Sequence, residues 1–277
     1  MTSPLTILDH SRVPGHMVYP VRSRRSRGIS IGINLFPHKK ICDLDCIYCE
    51  VDNPGTSKVE PSVKLLNSEL ESIFNDIRAQ RIFVNERIND IAFSGDGEPT
   101  ISPLFAESVD VAIDIRRRLA TPELKLVLIT DALTLDRPAT RAAVERMMQN
   151  GGEVWAKLDA GTEEYFKLVG RGHVSLTKQI RNIQAVGQRH PLVIQSMFLR
   201  IHNSPPPDAE VNAYIERLRE LIAAGTQILR IDIYTIARPT TEAYATPLAD
   251  AELDSICDRV SAAIGPAPPV ERYYSGK

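Results

Sequence analysis

The stretch Ile29-Ser-Ile-Gly-Ile-Asn34-Leu-Phe-Pro37 runs almost directly into Cys42-Asp-Leu-Asp-Cys46-Ile-Tyr48-Cys49. The first part alternates apolar with small or polar residues, which is a strand signal, and Pro37 ends it. The second part sets three cysteines within eight residues at spacing C-x3-C-x2-C, and only Cys257 lies elsewhere in the 277 residues. Thiolates held this close on a short loop can share one metal centre. Three thiolates do not complete a tetrahedral zinc site, but they can hold three irons of a cubane cluster and leave the fourth iron open. A structural zinc knot with His38 as fourth ligand is the competing reading, against which stands the lack of a second C-x2-C pair. A plain electron-transfer cluster asks for a fourth cysteine, and Cys257 is distant in sequence.

Outward from this loop the chain alternates strands and helices. Ser68-Glu-Leu-Glu71 reads as a capping box, with Leu70, Ile73, Phe74 and Ile77 at helical spacing behind it. Ile88 to Phe93 is a short apolar strand, followed by a helix around 103–119 and a strand from Leu124 to Ile129. A helix over 138–149 stops at Gly151-Gly152, and Val154 to Leu158 is the next strand. Helical spacing resumes over 163–187 with a break at Gly170-Arg-Gly172. A strand from Leu192 to Leu199, a helix opened by Asp208, a strand from Ile228 to Ile236 and a helix over 250–264 complete the pattern. Counting the strand before the cysteines, six strands alternate with six helices.

Such alternation gives an α/β fold with a parallel sheet joined by right-handed crossovers. The strands are apolar at nearly every position, as strands buried on both faces must be. Six units are too few for a closed eight-fold barrel and would form a partial barrel or an open curved sheet; the fold expected here is a partial (β/α)6 TIM-like barrel of parallel strands. Residues 1–20, with three prolines, read as an extended N-terminal arm, 21–265 as the barrel, and 266–277 as a Pro-rich C-terminal tail. In such folds ligands bind at the C-terminal ends of the strands. That rule draws the cysteine loop, Ser94 to Glu98, Thr130-Asp131, Lys157 with Asp159, and Tyr234 to Arg238 toward one place.

Composition sets broad limits. Hydrophobic residues make up 43% and charged residues 25%, ordinary values for a globular chain, and the net charge of −2 gives no global field for nucleic acid. The N-terminus shows no basic segment leading into an apolar run, and no apolar stretch approaches the length of a membrane span. Clustered cysteines in such a chain point to a metal site in a reducing, cytoplasmic setting with no membrane partner, rather than to disulfides.

The cysteine loop resembles the signature of the radical S-adenosylmethionine superfamily, C-x3-C-x-aromatic-C after the first strand of a partial barrel, with Tyr48 as the aromatic. The resemblance implies a 4Fe–4S cluster on Cys42, Cys46 and Cys49, with S-adenosylmethionine chelating the fourth iron. It further implies reductive cleavage to a 5′-deoxyadenosyl radical by an enzyme of iron–sulfur oxidoreductase or lyase type. An external electron donor of flavodoxin or ferredoxin type would then be a partner. Ser94-Gly95-Asp96-Gly97-Glu98-Pro99-Thr100 resembles the Gly-Gly-Glu-Pro element that binds the cofactor amine in that family, with Asp96 in place of one glycine. Read without the resemblance, it is a turn capping the next helix.

Asp131 ends the third strand where relatives carry Thr-Asn-Gly. Lys157 and Asp159 share one face of a strand; either they meet the cofactor carboxylate and a ribose hydroxyl, or they form a buried ion pair. Gln195 and Ser196 interrupt an apolar strand and either satisfy backbone or face a ligand. Several elements resemble the stand-alone iron–sulfur oxidoreductases similar to wyosine-synthesising tRNA enzymes. These are Arg22-Ser-Arg-Arg25, Gly32-Ile-Asn34, Glu50 after the cysteines, Lys157-Leu-Asp-Ala160 and Ile233-Tyr-Thr-Ile-Ala-Arg238-Pro239.

Arg24 and Arg25 can bind a phosphate-bearing substrate or RNA, or form a solvated basic face; Arg238 is the further candidate for an anionic substrate. A tRNA-modifying enzyme and a non-catalytic zinc protein are the other classes considered. Cys257, on the apolar stripe of the last helix, reads as a buried small hydrophobe.

Overall fold

A computed structural model describes residues 15–51, 59–121 and 123–276. In chain order the elements are β1 (Val18–Ser23), β2 (Gly28–Ile33), α1 (Val63–Arg78), β3 (Ile88–Phe93), α2 (Phe105–Leu119), β4 (Lys125–Thr130), α3 (Pro138–Gln149), β5 (Gly152–Lys157), α4 (Glu163–Gly170), α5 (Leu176–Gly187), β6 (Leu192–Met197), β7 (Leu199–Ile201), α6 (Asp208–Ala223), β8 (Ile228–Tyr234), β9 (Ala245–Pro247), α7 (Asp250–Ile264) and β10 (Val270–Tyr273). A short 3₁₀ turn, Pro99–Ile101, follows β3. One sheet has the order β1-β2-β3-β4-β5-β6-β8-β10. The fold class is the expected one, a mostly parallel α/β partial barrel.

The chain divides into two compact units. The first takes the described residues of Met1–Ile41, Asn53–Ile129 and Arg137–Val154. In it β2 pairs parallel with β3, and β3 with β4. The core is Ile29, Ile31 and Ile33 of β2, Ile91 and Phe93 of β3, and Leu126 and Leu128 of β4. Leu66, Leu70 and Ile73 of α1 and Val109 and Ala112 of α2 cover them. The second unit takes Cys42–Asp52, Thr130–Asp136 and the described residues of Trp155–Lys277. There β6 pairs parallel with β5 and β8, and every residue of β6 is buried. Tyr214 and Leu218 of α6 and Leu253 and Val260 of α7 are fully buried, and Phe198 meets Tyr214 edge to face at 5.1 Å.

The six expected strands correspond to β2, β3, β4, β5, β6 and β8, and four more appear. β1 pairs antiparallel with β2 from Val18↔Ile33 to Ser23↔Gly28, so the segment read as an arm is an edge strand from Val18 on. Residues 1–14 of that arm lie outside the described residues. Pro20 suggested irregular chain, but an edge strand tolerates a proline because its missing N–H faces away from the ladder. β10 pairs parallel with β8, so the tail is also part of the sheet. Only four residues long and half-polar, it is below the length at which alternation can be read. β7 and β9 form a small antiparallel ladder of their own.

Helix α1 starts at Val63 with Ser62 as N-cap, its side chain accepting from the Leu65 N–H at 3.2 Å. The expected capping box at Ser68 therefore lies inside the helix. The break at Gly170-Arg-Gly172 separates α4 from α5. Among the described residues no helix is long and apolar enough to cross a membrane.

Candidate functional site

The sequence candidates fall into both units, and each group is built by its own neighbours. In the first unit the turn after β3 is tied to the end of β2. Asn34 Nδ2 donates to Asp96 Oδ2 at 2.6 Å, and the Asp96 N–H returns to Asn34 Oδ1 at 3.1 Å. Asp96, where the resembled element has glycine, thus closes a ring with Asn34. The sequence names Asn34 only within the Gly32-Ile-Asn34 resemblance and as a polar residue ending an apolar strand, and neither signal gives its tie to Asp96.

Gly95 has φ +127, and a Cβ on Gly97 would stand 1.9 Å from the Ile41 carbonyl oxygen. That contact is a backbone bridge: the Glu98 N–H donates to Ile41 O at 2.9 Å, and Ile41 pairs with Gly97. Ile41 is the residue before Cys42 in sequence. Glu98 is 3% exposed. Its Oε1 accepts from the Thr100 N–H (3.1 Å) and hydroxyl (2.5 Å), capping the short 3₁₀ turn rather than the next helix, α2. The Ser94 hydroxyl bonds Tyr19 OH at 2.8 Å. Arg24 and Arg25 lie in the β1–β2 turn and are engaged with neighbours, while nearby Arg22 pairs with Glu86 at 2.6 Å. His38 belongs to this unit, with Nδ1 buried and without a hydrogen bond.

The second unit carries the cysteines. None of the three loop cysteines is joined in a disulfide. Tyr48 is 6% exposed, and its ring lies under the Lys157 ammonium, 4.4 Å from the centroid. Lys157 Nζ donates to Tyr48 OH at 2.6 Å, and that hydroxyl donates to Asp159 Oδ2. Lys157 and Asp159 are 3.5 Å apart, and the Met197 N–H donates to Asp159 Oδ1 at 2.8 Å. Half-buried Lys157 and buried Asp159 thus lie side by side with the Tyr48 hydroxyl between them.

Burial, the largest single influence, works against the charge on Lys157. Attraction to Asp159, helped by Tyr234, Cys46 and Cys42, together outweighs it and holds the ammonium above the usual lysine range. Burial, and after it the Asp159 carboxylate, push the Tyr48 phenol well above its ordinary range. Burial also raises the Cys46 thiol, against the pull of Lys157.

The remaining candidates of this unit divide by face. Lys157, Gln195 and Asp232 are in register on neighbouring parallel strands, and Gln195 Nε2 is 3.5 Å from Asp232 Oδ2. Ser196 points the other way and bonds Tyr214 OH of α6 at 2.7 Å. Adjacent strand residues face opposite sides, so Gln195 shares the face of Lys157 and Ser196 does not. Asp131 Oδ1 caps the turn after β4 by accepting from the Leu133 N–H at 2.9 Å, and Gln179 of α5 holds the Asp131 carbonyl at 2.8 Å. Arg238 pairs with Glu50 at 3.1 Å, next to Cys49 in sequence.

Among the described residues no three His, Cys, Asp or Glu side chains converge as a site for one metal ion. A zinc ion gathers its ligands at one point, whereas a cubane takes one thiolate at each of three irons. Three cysteines of one short loop supply the kind and number of donors that such a cluster takes.

This fold occurs in solved structures. SuiB of Streptococcus suis, solved with S-adenosylmethionine bound, matches with a TM-score of 0.61 over 86% of this chain and 49% of its own, at 15% identity. A mutant of spore photoproduct lyase matches with a TM-score of 0.60 over 92% of this chain and 78% of its own, at 12% identity. The fold of this chain is theirs. By sequence, a UPF0026 protein of Methanocaldococcus jannaschii is 30% identical over 159 residues, 57% of this chain and 44% of that protein. The chain thus spans less than half the length of that relative. No family model matches the chain.

Proposed function

We propose that this chain is a radical S-adenosylmethionine enzyme. The observation that carries the reading is the C-x3-C-x-Tyr-C loop following the first parallel strand of a fold shared with a protein solved with S-adenosylmethionine bound. Cys42, Cys46 and Cys49 are the residues that would hold a 4Fe–4S cluster. When bound, the cluster and S-adenosylmethionine together supply reductive C–S cleavage and a 5′-deoxyadenosyl radical.

The chain's own residues do the rest. Tyr48 fixes the middle of the loop to Lys157 and Asp159. Lys157 offers a positive charge toward a cofactor carboxylate. The Asn34–Asp96 ring and the Ile41–Gly97 bridge fix the turn after β3. The reducing electron comes from an external donor of the flavodoxin or ferredoxin class.

The test is anaerobic reconstitution followed by iron, sulfide and zinc analysis. About four irons and four sulfides per chain are expected, with 5′-deoxyadenosine formed from S-adenosylmethionine under reduction. Cys46→Ala should lose both cluster and product. A colourless protein with stoichiometric zinc overturns the reading.

A further inference from the structure

The loop from Cys42 to Cys49 has little regular structure of its own, so its shape is set by what grips it. The backbone N–H groups of Asp45 and Ile47 donate to the carbonyls of Gly170 (2.8 Å) and Val169 (2.9 Å) at the end of α4. These are carbonyls that a helix end leaves without partners inside the helix. The Thr241 N–H donates to the Cys49 carbonyl at 2.9 Å. The remaining grip is Arg171. Its Nε donates to the Asp45 carbonyl at 2.6 Å, one terminal nitrogen is 2.8 Å from the Asp45 carboxylate, and the other pairs with Glu242. Asp45 immediately precedes Cys46, and Glu242 immediately follows Thr241. One guanidinium thus joins the residue before the middle cysteine to the segment that holds the last one.

The backbone at Arg171 is left-handed, φ 50 and ψ 24, just past the end of α4. That position favours glycine. Gly170 and Gly172 flank it, yet neither takes it. Gly172 answers a different need, since a Cβ there would stand 2.4 Å from the Leu44 side chain and 3.2 Å from the Asp43 carbonyl. A strained backbone position kept by a large residue, with its fork spent on a candidate ligand loop, points from strain to function.

We propose that Arg171, braced by Glu242, is a positioning residue for the cysteine loop. It holds Asp45, and through it Cys46, in the arrangement that accepts the cluster. The inference rests on the cluster reading above, but the grip itself is measurable on the metal-free chain.

The experiment compares wild type with Arg171→Gly, Arg171→Lys and Glu242→Gln, by hydrogen exchange without metal and by iron uptake on reconstitution. Arg171→Gly supplies the residue the helix end prefers, so a purely capping role leaves the loop as tight as before. A gripping role makes the amides of residues 43–49 exchange roughly fivefold faster or more, with the β6 core unchanged. Iron retained after desalting should fall to about half of wild type or less, and the electron paramagnetic resonance spectrum of the reduced protein should change. Arg171→Lys and Glu242→Gln should lie between. Wild-type exchange at 43–49 in Arg171→Gly overturns the proposal, as does a loosened loop with wild-type iron and spectrum. If wild type itself takes up no iron, the cluster reading falls, and the exchange rates alone decide whether Arg171 holds the loop.

Discussion

The Lys157 ammonium donates to the Tyr48 hydroxyl at 2.6 Å, and the same hydroxyl donates onward to the Asp159 carboxylate. The three groups form one chain, so their loss is unequal. Tyr48→Phe removes one bridge but leaves Lys157 and Asp159 at their 3.5 Å separation, and should cost about 1–2 kcal/mol. Asp159→Asn strands a half-buried ammonium and should cost about 3 kcal/mol or more. Adding Lys157→Met to Asp159→Asn should recover part of that loss. Urea denaturation of the metal-free chain at neutral pH measures all three. Equal costs for the two single variants would show that the three groups do not act as one network.

Two glycines, one in the turn after β3 and one at the end of α4, should respond to alanine with opposite signs. A Cβ on Gly97 meets the Ile41 carbonyl oxygen at 1.9 Å, a backbone atom that cannot move without breaking the bridge between Ile41 and Gly97. Gly97→Ala should cost about 3 kcal/mol or more. A Cβ on Gly170 finds its nearest atom, at the end of the Leu44 side chain, 3.5 Å away, in the last residue of α4. Gly170→Ala should be neutral or stabilise by up to about 1 kcal/mol. Denaturation midpoints of the two variants decide the matter, and a destabilised Gly170→Ala would contradict this account of the helix end.

What the sequence revealed and what it hid follow from the range of each signal. Apolar runs and helix stops act locally, so the break at Gly170-Arg-Gly172 and the helix over 138–149 stand where they are read. The three cysteines are legible because spacing alone constrains them. β10 is hidden because its four residues become a strand only by pairing with β8. Arg171 is hidden for a similar reason. Two glycines suggest that one of them takes the left-handed position, and its partners Asp45 and Glu242 are 126 and 71 residues away. The Gln195–Ser196 pair shows the converse. Period two already says that neighbours face opposite ways, and the structure assigns Ser196 to Tyr214.

Cys257 carries a pH dependence outside the candidate site. It is fully buried on α7, as its place on the apolar stripe implies, and burial pushes its thiol from 9.0 up to about 12. Above pH 9 the unfolded chain therefore releases a proton that the folded chain keeps until about pH 12. The unfolded state then binds fewer protons, so stability falls with rising pH by at most about 1.4 kcal/mol per unit. Below pH 9 this group contributes no slope. Cys257→Ala lacks the thiol, while other titrating groups are common to both chains. The stability advantage of wild type over Cys257→Ala should thus shrink by roughly 2 kcal/mol between pH 7.5 and 10.5. An advantage that stays constant over that range would mean the thiol ionises freely in the fold.

Truncation after Gly265 tests whether the last strand belongs to the fold's stability or merely lies against it. β10 extends the sheet beyond β8 in parallel register from Val270↔Ile231 to Tyr273↔Tyr234, and the Ile231 N–H donates to the Pro269 carbonyl at 2.9 Å. Arg272 reaches Asp254 and Asp258 of α7, and Tyr274 OH donates to Asp254 at 2.7 Å. The segment thus binds a strand on one side and a helix on another. At about 1 kcal/mol per ladder hydrogen bond, its removal should cost a few kcal/mol, which for a chain of this size lowers Tm by roughly 5–10 °C. Arg272→Ala cuts only the helix contacts, which are partly exposed and screened, and should lower Tm far less. If the two variants melt together, the side-chain contacts to α7 rather than the ladder hold this edge of the sheet. If neither shifts, β10 contributes nothing measurable, and β8 is stable as an edge strand.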